Sequence, residues 1–399
     1  MESIKDIFII GNGPSSSHTI GPSFAVDTIL KDYKNIKSIK VTLYNSLALT
    51  GRGHLTDKII KEKLKDFDVE VNYDINTATP HPNTLDFDIV LTDESKVHRR
   101  FYSIGGGTVV EKLSSTCKKN HIYKENNLED ILKICHEKNL SLYQYVLDHE
   151  NEDILDYIKN VLKVMDECVS RGLNASGILP GKLKVERKAK YLLENSKSTI
   201  RIGTKNDQMV MAYAYAASEE NASGGVVVTA PTCGSSGVIP GCIEYLRLNN
   251  IEEEKILEGL LVAGLIGKLI KTNATVSGAV GGCQAEIGSA ASMGAALIMH
   301  ALGYSNEKIA QASEIALEHS LGLTCDPIEG YVQIPCIERN AIFALKAINS
   351  CSLASVINCE TSKINFDDIV QTMFETGKDL QKGYKETSKK GMSKIKIEC

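Results

Sequence analysis

The first segment with residue types suited to chemistry is residues 11–19 (GNGPSSSHT), which follow a short apolar run and hold Ser15, Ser16, Ser17 and His18. A glycine turn with free backbone N–H groups and hydroxyls at a helix start suits a bound carboxylate. A serine-rich segment is also ordinary at a helix N-terminus. The segment lacks the third glycine of a dinucleotide fingerprint and the Gly-Lys-Ser/Thr of a P-loop. It therefore predicts an anion site or an N-cap, not a nucleotide site.

A second glycine-flanked histidine lies in residues 51–57 (GRGHLTD), which contain His54 and Thr56. A single loop histidine is most often solvated or capping. Two such segments in one small domain favour a functional interpretation, because imidazole titrates near neutrality and can move protons. We predict a catalytic base here, with His54 as the first choice and His18 as the second.

Three cysteines form the strongest candidate cluster. Cys283 lies in a glycine-rich segment, and Cys325 and Cys336 bracket the sequence CDPIEGYVQIPC. No C-x₂-C pair is present, so zinc-ribbon and ferredoxin spacings fail. Buried apolar thiols remain an alternative. Each thiol is flanked by Gly, Pro, Asp or Gln in a loop, where a core thiol is less expected. Metal ligation is therefore the second interpretation, in which three loop thiolates could hold three irons of a cubane and leave the fourth open as a Lewis acid.

Composition excludes several classes of protein. The 399 residues contain 43% hydrophobic and 24% charged residues, as globular proteins do. The net charge of −5 argues against a nucleic-acid partner. Eleven cysteines, an odd number, and a polar N-terminus predict reduced thiols and a cytoplasmic protein. The apolar stretches 260–270 and 287–302 are too short for membrane spans and predict buried helices.

Periodicity predicts a two-domain protein: a small α+β N-terminal domain and a larger, mostly all-α C-terminal domain. We expect the small domain at residues 1–115, a linker at 116–127, the helical domain at 128–380 and a lysine-rich tail at 381–399. The small domain should hold strands at 7–10, 39–43, 69–73, 88–91 and 96–104, with helices at 24–33 and 56–67, the latter capped by Thr56 and Asp57. The clearest helices beyond the linker are predicted at 128–138, 141–149, 154–169, 253–271 and 305–320.

Longer motifs resemble one family closely. The segments GPSSSHTIGP (13–22), FYSIGGG (101–107), ILPG (178–181), GGVVVTAPT (224–232), GCQ (282–284) and LTCDPIEGYVQIPCIERN (323–340) resemble the iron–sulfur L-serine dehydratases, in family order. The resemblance runs from near residue 8 to at least 350 and points to the single-chain form, with fused β and α domains.

The resemblance implies a [4Fe–4S] cluster on Cys283, Cys325 and Cys336, with Cys399 at the end of the returning tail as a ligand to the open iron. It implies a small amino-acid substrate, no nucleic-acid or membrane partner, and a homodimer. The expected reaction is dehydration and deamination of L-serine to pyruvate and ammonia. We expect the carboxylate to be held by hydroxyl and amine donors, namely Ser15, Ser16, Ser17, Thr56 and Lys271.

Two departures from the family pattern bear on the substrate. Cys233 stands where Asn is usual, and Glu329 stands in the cysteine loop where Gly is common. We expect them to shift specificity if they touch substrate, so threonine, cysteine or a hydroxylated acidic amino acid remain alternatives. Cys233 as a further iron ligand, a non-catalytic iron or redox sensor, and a pyridoxal-phosphate dehydratase are further alternatives.

Overall fold

The computed structural model describes residues 1–113, 121–198 and 202–396. The small N-terminal region is built on a five-stranded sheet in the order β3-β2-β4-β5-β6, in which β2 and β3 are parallel and the other pairs antiparallel. Its elements, with the short strand β1 that precedes them, are β1 (Ile10–Asn12), α1 (Gly21–Asp32), β2 (Ile36–Tyr44), α2 (Asn45–Thr50), α3 (Thr56–Lys63), β3 (Asp68–Asp74), β4 (Thr84–Leu91), β5 (Lys96–Gly105) and β6 (Thr108–Val110).

The core of this small region follows from the alternation in β2. Ile39, Val41 and Leu43 are buried on one face, where they pack with apolar residues of α1 and α3. Since the intervening residues are more polar, the sheet buries one face and leaves the other for charged side chains. The helices thereby lie on one side of the sheet and carry the two histidine segments at their N-terminal ends.

In the part of the larger region that the structure describes, the elements are helices and one short strand. Its elements are α4 (Leu128–Lys138), α5 (Leu142–His149), α6 (Ile154–Asn174), α7 (Ala189–Asn195), α8 (Lys205–Ala222), β7 (Val226–Val228), α9 (Val238–Leu248), α10 (Glu253–Asn273), α11 (Gly278–Gly281), α12 (Ser289–Ala301), α13 (Asn306–Glu318), α14 (Cys336–Val356) and α15 (Phe366–Asp379). The predicted fold class is confirmed. Helices α10 and α12 form the centre of the core, as their apolar sequences predict. Within the described residues, no helix is long and apolar enough to cross a membrane.

The N-terminal segment differs from its prediction. Residues 7–10 were predicted as a strand, but β1 begins only at Ile10. Ile4, Ile7 and Phe8 instead pack into the core of the helical region. The apolar run therefore joins the larger core, which its periodicity alone could not indicate. β1 continues this link by pairing antiparallel with β7.

Helix α3 also differs from its prediction. It ends at Lys63, four residues before the predicted end at Phe67, and Thr56 does not cap it. The hydroxyl of Thr56 instead donates to the carbonyl of His18, at 2.6 Å. The predicted linker lies partly outside the described residues, and the domain boundaries stay predictions.

Candidate active site

The two predicted histidines meet in the small region. His18 lies in a π-helical turn, Ser16–Ile20, at the start of α1, and His54 lies in the turn before α3. Their ring centroids are 4.5 Å apart. Two hydroxyls fix the segments to each other: Thr56 donates to the carbonyl of His18, and Thr19 donates to the carbonyl of His54 at 2.7 Å. The two glycine-flanked segments therefore form one buried unit.

The rings differ in their hydrogen bonds. His18 Nδ1 lies 2.8 Å from the hydroxyl of Ser17, and His18 Nε2 lies 3.1 Å from the hydroxyl of Ser46. His54 has neither ring nitrogen paired, although the side chain is buried. Burial lowers the pKa of His54 to about 4. Burial and the neighbouring His54 hold the pKa of His18 well below 6.5. Both imidazoles are therefore neutral at pH 7, and His54 has free capacity to accept a proton.

The three predicted cysteines line one pocket. Cys283 directly precedes a second π-helical turn, Gln284–Gly288, Cys325 lies in the loop after α13, and Cys336 opens α14. His54 and Ser15 from the small region line the same pocket. Thiols from three segments of the helical region thus face a histidine and hydroxyls of the small region.

The electrostatics of the pocket favour a thiolate at Cys283. A hydrogen bond from Cys325, together with the nearby Arg339, lowers the pKa of Cys283 to about 6 against the opposing effect of burial. The same bond and burial raise the pKa of Cys325, and burial raises the pKa of Cys336. The thiolate is the form that ligates metals, so this donor set suits a metal centre.

Comparison with known proteins decides the family. Residues 3–78 match the family model described as serine dehydratase beta chain, and residues 86–393 match the one described as serine dehydratase alpha chain. The chain belongs to the serine dehydratase family. L-serine dehydratase of Haemophilus influenzae is 37% identical, with all of both chains covered. L-serine dehydratase 2 of Escherichia coli is 36% identical, with all of both chains covered, and the enzyme of Streptomyces coelicolor is 36% identical, with 100% and 99% covered.

These matches confirm the predicted family and its single-chain form, and they make the chain an enzyme. The two family matches meet between residues 78 and 86. This gap includes the first two residues of β4, so the five-stranded sheet contains strands from both matches. The division between the family models therefore does not coincide with the edge of the sheet.

Sequence reasoning missed two carboxylates at the pocket of this serine dehydratase. Glu386 Oε1 lies 3.9 Å from His54 Nε2 and 4.0 Å from His18 Nδ1. A carboxylate oxygen of Glu286 and the sulfurs of Cys283 and Cys325 lie within 4.8 Å of one another. Burial raises the pKa of both carboxyls, to about 7 for Glu386. Glu286 follows Cys283 by about one helical turn, and this spacing could have indicated that its carboxylate lies near the thiol of Cys283.

Glu386 belongs to the lysine-rich tail segment, where nothing in the sequence singles it out. Its backbone N–H donates to the carbonyl of Cys325 at 2.6 Å, and the N–H of Cys325 donates to the carbonyl of Tyr384 at 2.8 Å. Met392 N–H donates to Asp326 at 2.7 Å. The tail is therefore bound along the cysteine loop from Tyr384 to Met392. Cys399 lies outside the described residues.

The predicted carboxylate-binding residues divide into three groups. Ser15 and Ser16 line the pocket. Ser17 and Thr56 are instead engaged with His18, as described above. Lys271 does not line this pocket: it lies in a different cavity, where its ammonium is 3.1 Å from the carboxylate of Asp6. Lys271 lies near the end of α10, and the sequence alone could not indicate where that end lies relative to the cysteines.

Neither family departure lines the pocket. Cys233 is buried in an apolar cluster with Ile20 and Val227, and burial raises the pKa of its thiol. The side chain of Glu329 is exposed, and its backbone adopts φ 54°, a left-handed conformation. The family's glycine suits that conformation, so the departure at position 329 concerns the backbone of the cysteine loop.

Proposed function

We propose that this enzyme dehydrates and deaminates L-serine to pyruvate and ammonia at the pocket between the histidines and the cysteines. The observation that carries the proposal is the convergence of a neutral, unpaired His54 with three thiols in one buried pocket. The relatives named L-serine dehydratase support serine as the substrate.

We further propose that Cys283, Cys325 and Cys336 hold a [4Fe–4S] cluster. The donor set fits, because three thiols line one pocket and Cys283 is acidified by a thiol donor and by Arg339. When bound, a cluster with one open iron supplies Lewis acidity toward the hydroxyl of the substrate. The course of the tail supports the proposal that Cys399 is a ligand to that iron, because the tail reaches the pocket at Glu386.

His54 is our proposed base for the α-proton of serine. A base must be deprotonated and must have a free lone pair, and both ring nitrogens of His54 are buried without partners. His18 is less free, since both of its ring nitrogens lie near hydroxyls. We therefore assign His18 the role of a positioning residue that packs against His54.

Ser15 and Ser16 are our proposed donors to the carboxylate of the substrate. They line the pocket on the side of the histidines, and negative charge on that carboxylate grows as the α-proton leaves. Ser17 and Thr56 would contribute by orienting His18 and by joining the two segments. On the family resemblance, we also propose a cytoplasmic homodimer.

The test is pyruvate formation from L-serine by anaerobically purified protein, before and after brief exposure to air. We expect activity that air abolishes, iron in the purified protein, and loss of both iron and activity in Cys283→Ser. Cys359→Ser, which changes a thiol outside the pocket, is the matched control. Activity that persists in air would contradict the cluster. An iron-loaded protein inactive on L-serine but active on threonine or cysteine would contradict the substrate.

A further inference from the structure

Helix α14 exposes a row of apolar side chains. Ile342, Leu353 and Val356 are 57%, 48% and 79% exposed. Among the described residues, α14 is the one helix with more than one exposed large apolar side chain. The half-buried Leu345 and the exposed Asn349 complete the row. Successive members are three or four residues apart, so all five lie on one side of the helix, and we call this row the α14 face.

A groove lies beside the α14 face. Its volume is about 500 Å³, and it is lined by Ile342, Leu345 and Leu353 of α14 together with Ile315 of α13 and His319 just after that helix. A ridge of side chains next to a groove is the surface that two packed helices present to each other. Contiguous exposed apolar surface is also typical of a contact between proteins. The α14 face therefore suits another helix as its partner.

The α14 face has the same order of residues in both directions from Asn349. Leu345 and Leu353 lie four residues before and after it, and Ile342 and Val356 lie seven residues before and after it. In a two-fold contact, a residue i meets a residue j of the other copy, and j meets i. A second α14 that crosses antiparallel at Asn349 would therefore place leucine against leucine. It would also place Ile342 of each copy against Val356 of the other.

The polar groups of the face are compatible with a second copy as well. The exposed amide of Asn349 has both a donor and an acceptor, so two such amides can bond to each other across the axis. Residues 342–356 contain no carboxylate, and Lys346 is their one charged residue. Its ammonium donates to the carbonyl of His319 and, at 3.3 Å, to the hydroxyl of Ser320. The contact would therefore bring no carboxylates together, and its one cation is hydrogen-bonded within its own chain.

We propose that the α14 face binds the same face of a second copy of this chain, with the two helices antiparallel and Asn349 at the two-fold axis. This inference rests on the homodimer proposed above and adds the surface through which the dimer forms. It does not depend on the reaction in the pocket. Because α14 begins at Cys336, the contact would pack the helices that carry this thiol against each other.

The first test is sedimentation velocity of the full-length protein over a range of concentrations. We expect a dimeric parent and self-association at least about a hundredfold weaker in Leu353→Lys, because each dimer would bury two unpaired ammonium groups. Leu353 is nearly half exposed in the single chain, so this variant should fold, which far-ultraviolet circular dichroism checks. Leu155→Lys is the matched control: Leu155 is an exposed leucine on α6 that does not line the groove, and its replacement should leave the dimer unchanged.

The second test examines the antiparallel register. Ile342→Glu and Val356→Lys should each weaken the dimer about tenfold or more, since each places a charge against an apolar side chain. Combining them should recover most of the loss, because the new carboxylate and ammonium would face each other across the axis. Within one chain these two positions are about 21 Å apart along the helix, so the charges cannot pair there. Both side chains are more than half exposed, so the three variants should fold.

Three results would overturn the proposal. A parent protein that stays monomeric would contradict both the homodimer and this contact, and it would leave the face to a different protein. A dimeric parent whose dimer survives Leu353→Lys would keep the homodimer and reject the α14 face. Weaker dimers in Ile342→Glu and Val356→Lys without recovery in the double variant would reject the antiparallel register.

Discussion

At the scale of single residues, the fold controls the protonation of His54 through burial. The side chain is buried and both of its ring nitrogens lack partners, so the folded protein disfavours the imidazolium. A free imidazole in the unfolded chain titrates near 6.5. The same burial that would leave His54 free to act as the proposed base therefore makes its contribution to stability sensitive to acid.

Although buried carboxyls with raised pKa values, such as Glu386, favour the folded state as the pH falls, we predict that His54 opposes them and lowers the free energy of unfolding between pH 7 and pH 5. Its pKa is lowered to about 4 in the folded state, so the unfolded chain takes up a proton first. The resulting loss is about 2 kcal/mol over this interval. Urea unfolding at pH 7 and 5 should show that His54→Gln shifts the difference between the two free energies of unfolding by about 2 kcal/mol in favour of pH 5, relative to the parent.

The matched control for this prediction is His136→Gln, which changes an exposed histidine on α4 and should keep the parent's difference. An unchanged pH dependence in His54→Gln would mean that His54 is protonated in the folded protein, and it would then be a poor base.

At position 329 this chain has Glu where the family commonly has Gly, and the main structural consequence concerns the backbone of the cysteine loop. Its φ of 54° costs a non-glycine residue about 1–2 kcal/mol. Glycine avoids this cost, but it loses more backbone entropy on folding, so the net gain in stability is smaller. We predict that Glu329→Gly raises the free energy of unfolding by about 1 kcal/mol relative to Glu329→Ala. Urea unfolding of both variants measures this difference.

Activity assays on the same two variants test the position of the side chain. Because Glu329 does not line the pocket, both should keep the parent's order of preference among serine, threonine and cysteine. A changed order in Glu329→Ala would place this carboxylate at the substrate.

At the scale of elements, the π-helical turn after Cys283 is held by one buried side chain. Gln284 accepts from the N–H of Gly322 at 2.9 Å and donates to the carbonyls of Gly281 at 2.9 Å and Met373 at 3.2 Å. It therefore joins the turn to the loop before Cys325 and to α15. Non-α-helical turns of this kind are frequent at functional sites, and both π-helical turns here carry or adjoin predicted site residues.

We predict that Gln284→Ala destabilises the protein by about 2–4 kcal/mol, because it leaves a cavity and buried backbone groups without partners. It should also reduce the iron content of anaerobically purified protein, since the turn that orients Cys283 loses its support. Gln371→Ala, on α15 and bonded to Glu375, is the control. Full iron content in a destabilised Gln284→Ala would mean that Cys283 keeps its position without the hydrogen bonds of Gln284.

The sequence indicated helices with an apolar stripe on one face or a long apolar run, and it missed a helix whose buried residues are a mixture of alanine and polar types. Helix α4 was predicted at its observed limits, whereas α8 was not predicted. Its alanines are buried among polar residues without a clear stripe, so periodicity is weak. Glu386 was missed for a related reason: only the tertiary course of the tail brings it to the histidines.

At the scale of the whole molecule, the proposed reaction would require the small region and the helical region to keep a fixed relative position. The histidines belong to the small region, and the thiols belong to the helical region. Contacts between residues 10–14 and residues 221–228 join the two regions, and we call them the junction. Strand β1 pairs with β7, the amide of Asn12 donates to the carbonyl of Gly224 at 3.0 Å, and the amide of Asn221 donates to the carbonyl of Pro14 at 3.0 Å. Local sequence motifs identify each half of the site, but their separation depends on tertiary contacts such as those of this junction.

Gly13 lies at the closest approach within the junction. A Cβ atom there would lie 2.3 Å from the backbone carbonyl oxygen of Asn221, far inside contact distance. Gly13→Ala must therefore shift the Ser15–His18 segment away from the helical region. We predict at least about a hundredfold loss in kcat/KM for L-serine, as misplacement by about 1 Å can cause. Iron content should be unchanged, because the three cysteines lie on the other side of the junction. Asn12→Ala, which removes only the hydrogen bond to Gly224, should lose less than about tenfold in kcat/KM. Equal losses in the two variants would contradict the steric effect at Gly13.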